Sequence, residues 1–173
     1  MSKYIIDANV VLLAGTPVKD IPREQLLCAK KCVDFIQNFM RDKNASLVLD
    51  DSGRILKEYR GARKVGNSPN LATVFCNWAH QNMPKYAKDF VHLDEIQENV
   101  FQEYPANQQL KEFDPPDRKY IAIAYKHPDS PPIVEASDSK WWGIKEALKE
   151  NKIEVIFVDE EYIKNKYMKK IGI

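Results

Sequence analysis

Neither sign of charge is in excess in this chain: 26 lysines and arginines meet 25 aspartates and glutamates, for a formal net charge of +1. So balanced a chain has no global basic field of the kind that advertises nucleic-acid binding by itself, and a polyanionic partner must be held locally. Cysteines are few and odd in number. Cys28, Cys32 and Cys76 lack the CxxC pairs of a zinc ribbon, fall in segments with helical character, and read as reduced, buried thiols. The three histidines, His80, His92 and His127, are scattered without ligand spacing and read as structural or surface residues. No apolar run approaches the roughly 20 residues that a membrane helix needs, and no charged segment followed by an apolar one opens the chain. The expectation is a cytoplasmic protein without a membrane partner.

What is present suffices for one domain over residues 1–173, since 44% of the 173 residues are hydrophobic and can bury a substantial core. Short β-type runs alternate with helical periodicity, and no internal repeat interrupts them, which is the pattern of an α/β domain. Strands are expected at "KYIID", "ASLVLD", "DFVHL", "PIVEAS" and "IEVIFV". A helix follows the first, with Leu26, Ala29, Val33, Ile36 and Met40 on one face, flanked by Cys32 and Phe39. Another is expected at "DSGRILKEYRG", with Gly61 beyond its end, and another at "SPNLATVFCNWAHQNM", with Ser68 as N-cap. Residues 104–117 read as a long functional loop before a helix at "DRKYIAIAYK", and "DSKWWGIKEALKEN" as a helix between the last two strands. Five strands with helical crossovers predict a three-layer α/β/α sandwich around a mostly parallel sheet.

In such a sheet, ligands bind outside the carboxyl ends of the strands. Asp7 ends the first strand and Asp138 follows the fourth, so both emerge at the same edge. Glu58, in the helix after the second strand, and Asp117, opening the "YIAIA" helix, can join them. Unit charges about 4 Å apart repel by roughly 4 kcal/mol at an effective dielectric of 20, so four carboxylates require a cation or protonation. Oxygen ligands without His or Cys favour Mg²⁺ or Mn²⁺, which can activate a water and polarise a phosphate. The chemistry implied is phosphodiester hydrolysis.

The blocks "YIIDANVVLLA", "GRILKEY", "FDPPDRKYIAIA" and "ASDSKWW" resemble, in order, the acid-bearing blocks of the PIN-domain nucleases. The resemblance implies a PIN-like fold and an Mg²⁺- or Mn²⁺-dependent nuclease, acting on RNA more often than on single-stranded DNA, as in the VapC-type toxins of toxin–antitoxin modules. It matches Asp7, Glu58, Asp117 and Asp138 to the four acidic, metal-holding catalytic positions, and Asn9 and Ser137 to supporting polar neighbours. It also implies an antitoxin or regulatory partner and a homodimer. One position departs from the family pattern: Lys140 stands where a further acid is common, which bears on a second metal site.

Each of these residues also has a plainer role open to it. Asp7, Asp117 and Asp138 can be helix caps and Glu58 a solvated residue of a charged helix, while Asp114 in "FDPPD" reads as a loop cap, with approach to the metal as its lesser alternative. Asp50 and Asp51 read as turn and cap residues. Arg54, Lys57, Arg60, Arg63 and Lys64 surround Glu58 and either hold phosphates or form a solvated face. Lys140, Trp141 and Trp142 follow Asp138, where an exposed tryptophan would stack on a base of a single strand and a buried one would belong to the core. Two other function classes are open. One is an aspartyl-phosphate phosphotransfer domain, disfavoured because Asn9 stands two residues after Asp7 where that chemistry wants an acid. The other is a catalytically inactive PIN-like binding module.

Overall fold

The computed structural model describes residues 2–62 and 69–172. In chain order these form β1 (Ser2–Ile6), α1 (Ala8–Gly15), α2 (Leu26–Arg41), β2 (Ala45–Leu47), α3 (Arg54–Ala62) and α4 (Leu71–Tyr86). A small antiparallel hairpin follows, β3 (Glu95–Gln97) and β4 (Val100–Phe101), then α5 (Arg118–Lys126), β5 (Ile133–Glu135), α6 (Lys140–Glu150), β6 (Val155–Phe157) and α7 (Glu160–Lys170). The central sheet is parallel, in the order β2-β1-β5-β6. The fold is therefore α/β with seven helices among the described residues and four strands in its main sheet.

The third expected strand, "DFVHL", is reduced to one rung. Val91 pairs with Asp50 in an isolated parallel bridge, its N–H donating to the Leu49 carbonyl at 2.8 Å and its carbonyl accepting from Asp51 at 3.0 Å. Pairing goes no further because Asp50 turns out of the sheet to cap α3. Its carboxylate accepts from the backbone N–H groups of Arg54 (2.8 Å) and Ile55 (3.0 Å), the cap role expected of it. Gly61 lies inside α3 and not beyond it. At α4 the cap is Asn70, whose side chain accepts from the Thr73 N–H, while Ser68 lies outside the described residues.

One connected core runs through the described residues, with Ile5, Ile6, Val134 and Ile133 of the two central strands fully buried. Burial without an alternating polar face is what a parallel sheet covered by helices demands. The apolar stripe of α2 is rotated from the expected one: Cys28, Cys32, Ile36 and Phe39 are buried and Leu26 is exposed. All three cysteines are buried, and none is in a disulfide. No helix among the described residues is long and apolar enough to cross a membrane.

At the amino end of the sheet, opposite the candidate site, Asp89 is buried and bound by Lys3 (2.7 Å) and by the Ser46 hydroxyl (2.8 Å). The end of α1 packs against the start of α4 closely enough that a Cβ on Gly15 would lie 2.6 Å from the Ala72 Cβ and 3.0 Å from its backbone nitrogen. Gly15→Ala is expected to destabilise the protein by about 2 kcal/mol through overpacking, measured by urea unfolding. An unchanged midpoint would show that the two helices move apart freely.

Candidate metal centre

The chain leaves β1 toward β2 on one side and leaves β5 toward β6 on the other, so the strand order reverses between β1 and β5. This crevice is where an open α/β sheet receives ligands. The residues that close the two central strands at this point are both acids. Register places Ile6 opposite Val134, and the Asp7 N–H donates to the Val134 carbonyl at 2.9 Å, which brings Asp7 beside Glu135.

Asp7 uses its two oxygens differently. Oδ1 accepts from the Asn9 N–H at 2.9 Å and caps α1, as the plainer reading of this residue requires. Oδ2 is buried and has no hydrogen-bond partner among the described residues. Burial holds the Asp7 carboxyl well above the usual carboxylate range, and the neighbouring charges of Glu135 and Asp117 add to that. Two buried carboxylates side by side offer acceptors and no donor, so the pair requires a proton or a cation.

Glu135 is fully buried and is the residue that sequence reasoning missed. Both of its oxygens accept from the Asn9 side-chain nitrogen at 2.7 Å, and Oε1 also accepts from the N–H groups of Ser137 (3.1 Å) and Asp138 (2.8 Å). Burial pushes it up to about 7 against the pull of those donors. Asn9 completes the link by accepting from the Ala136 N–H at 3.1 Å, so its supporting role is a bridge from α1 to the end of β5. Ser137 takes part through its backbone, donating to Glu135 and accepting from Lys166 at 2.5 Å.

A second acidic group lies within electrostatic reach of this pair, Asp117 acting on Asp7 and Asp138 on Glu135. Asp114, Asp117 and Asp138 each place a carboxylate oxygen so that all three lie within 4.8 Å of one another. Asp138 leads into α6 and accepts from the Lys140 N–H at 3.0 Å. Asp117 opens α5 without a side-chain cap bond, which removes helix capping as the explanation for its acid. Burial raises it to about 6, helped by Asp138 and Asp114 and opposed by Lys119. Asp114 joins although its sequence context reads as a loop cap. Phe113 anchors that loop, its ring packing edge-to-face on Trp141 at 4.8 Å.

Glu58 faces the same region but is held apart from the aspartates by a cation and a phenol. The Lys119 ammonium lies 2.6 Å from Oε1, and the Tyr120 hydroxyl donates to Oε2 at 2.5 Å. Tyr120 also accepts from the Ala8 N–H at 3.2 Å, so one side chain joins α5, α3 and the turn after β1. Buried beside Asp7 and Glu58, the Tyr120 hydroxyl is raised well above its ordinary range and stays a neutral donor.

The expected substrate-binding side chains divide sharply. Trp141 is fully buried against Phe113 and Tyr120, so it has no free face for a base and is corrected to a core residue. Trp142 packs on Phe157 and beneath the Lys145 ammonium. Arg54 is engaged by Glu95 at 2.6 Å and ties α3 to the hairpin, while Lys57 is exposed. Arg60 donates to His80 at 3.1 Å, and Arg63 and Lys64 lie outside the described residues. Lys140 pairs through its ammonium with Asp114.

Comparison with protein-family models, curated proteins and solved structures finds no match for the chain. The chemistry of the site therefore rests on its donors: clustered carboxylates, one buried and unpartnered oxygen, and, among the described residues of the cluster, no nitrogen or sulfur ligand. That set suits a hard divalent cation such as Mg²⁺ or Mn²⁺.

Proposed function

We propose that this chain is a PIN-like nuclease with a three-layer α/β/α arrangement that hydrolyses phosphodiester bonds, with RNA as the preferred substrate. The observation that carries this reading is the gathering of Asp114, Asp117 and Asp138, with Asp117 acting electrostatically on Asp7, whose buried Oδ2 lacks any donor among the described residues. Asp114, Asp117 and Asp138 would hold Mg²⁺ or Mn²⁺, with Asp7 as the buried member of the set. Such an ion, when bound, supplies an acidified water and charge stabilisation at phosphorus. In the reaction, hydroxide from water adds to phosphorus, the bond to the leaving oxygen breaks, and that oxygen takes the electron pair and a proton. Asn9 and Glu135 fix the turn that carries Asp138, and Tyr120 fixes the start of α5 against α1 and Glu58.

A second reading, a catalytically inactive module, is favoured by the two lysines that neutralise acids here, Lys119 on Glu58 and Lys140 on Asp114. Incubating end-labelled single-stranded RNA and DNA with the protein in Mn²⁺, Mg²⁺ or EDTA separates the two. Internal fragments of RNA that need the metal and disappear in EDTA are expected. No fragments from either strand, joined to no heat of Mn²⁺ binding, would establish the inactive module.

A further inference from the structure

The acidic group binds two ammonium ions of its own chain, and they are placed differently. Lys119 is buried, and its ammonium is held by both Glu58 and the Pro116 carbonyl. Lys140 begins α6 with its side chain 43% exposed, and its ammonium pairs with Asp114 at the open side of the aspartates. The carboxylates of Asp7, Asp114, Asp117 and Asp138 outnumber the charge of one divalent ion by two, so a phosphodiester anion arriving at the loaded site meets net repulsion. A mobile cation at the rim offsets that repulsion, and Lys140 is so placed. A second indication comes from Asp7, whose buried Oδ2 lies without a donor beside Glu135 and whose carboxyl feels the charge of Asp117, a member of the cluster.

We infer that Lys140 is the built-in second cation of this site: one divalent ion takes the aspartates, and the Lys140 ammonium leaves Asp114 to bind the scissile phosphate and stabilise its developing negative charge. The inference rests on the nuclease reading above. Its content is that Lys140 excludes a second metal ion and replaces what that ion would do. Hydrolysis balances as before, with no added reactant, because the lysine contributes charge and hydrogen bonds and keeps its proton.

Calorimetric titration with Mn²⁺ reads this without reference to turnover. Wild type is expected to bind one ion per chain and Lys140→Asp two, since the substitution removes a competing cation and adds a ligand. Lys140→Met, which adds no charge, controls for folding; it is expected to bind one ion, keep its thermal midpoint, and lose about a hundredfold in kcat/KM for RNA, while Lys140→Arg keeps most of it. Two ions on wild type, one ion on Lys140→Asp, or full activity in Lys140→Met would each overturn the inference and leave a metal nuclease standing. No Mn²⁺ bound by wild type would instead overturn the reading beneath it.

Discussion

Asp7→Asn is expected to lower the rate of metal-dependent RNA cleavage by at least about a thousandfold while leaving the protein as stable as before or more so. The two effects come from the same atoms. The side-chain oxygen of the introduced asparagine would still accept from the Asn9 N–H and cap α1, as Asp7 Oδ1 does. Its amide nitrogen would stand at the buried Oδ2 position, where no donor now exists among the described residues, and would supply one toward Glu135. Relief of that unsatisfied pair is worth about 1–2 kcal/mol at neutral pH. Initial rates in Mn²⁺ and thermal melts in EDTA measure the two effects separately. Equal rates for variant and wild type would remove Asp7 from the chemistry, and a collapse of stability would show that the native pair is held by something other than a shared proton or a cation.

Glu135→Gln is expected to change how stability depends on pH in the absence of divalent ions. Glu135 rises from its ordinary 4.5 to about 7 in the fold, so the folded protein binds more protons than the unfolded chain between these values. Stability from this group is fully present below about pH 4.5 and is lost as pH rises through about 7. That interval corresponds to about 3 kcal/mol, and Asp117, raised to about 6, contributes in the same direction. Metal-free wild type should therefore unfold at lower urea at pH 8 than at pH 5, with the difference smaller in Glu135→Gln, where the raised carboxyls of Asp7 and Asp117 alone sustain it. Saturating Mn²⁺ should reduce it in wild type as well, because a bound cation replaces the proton. A wild-type midpoint that climbs from pH 5 to pH 8 in EDTA would refute that sign.

Much of this arrangement is legible in the sequence because parallel α/β topology converts strand ends into neighbours. Asp7 and Asp138 stand out as acids breaking apolar runs, and Asp117 by its place before "YIAIA". Glu135 breaks its run in the same way, in "PIVEAS", but it lies within the strand, and the next conspicuous acid, Asp138, draws attention from it. Only the pairing of β1 with β5 shows that Glu135 is the direct neighbour of Asp7. Asp114 reads first as a loop cap and only second as a residue near the metal, because its approach to Asp117 depends on Phe113 seating on Trp141, a contact across 28 positions of chain that no local spacing encodes. Glu58 can be placed near the site from its helix alone, and its partners Lys119 and Tyr120 are visible only in three dimensions. The third expected strand fails for a competing local demand, because Asp50 caps α3 where a longer β2 would have paired with it.

The single rung between Asp50 and Val91 has an effect on how copies of this protein meet one another. It ties the Leu49 carbonyl and the Asp51 N–H to Val91 just past the end of β2, so at that point the backbone is already paired and a foreign strand cannot add there. β6, the other margin, pairs only with β5 among the described residues. The two margins thus differ: the one beside β2 is interrupted by this rung, and the one at β6 offers its outer backbone groups for strand addition without such an interruption.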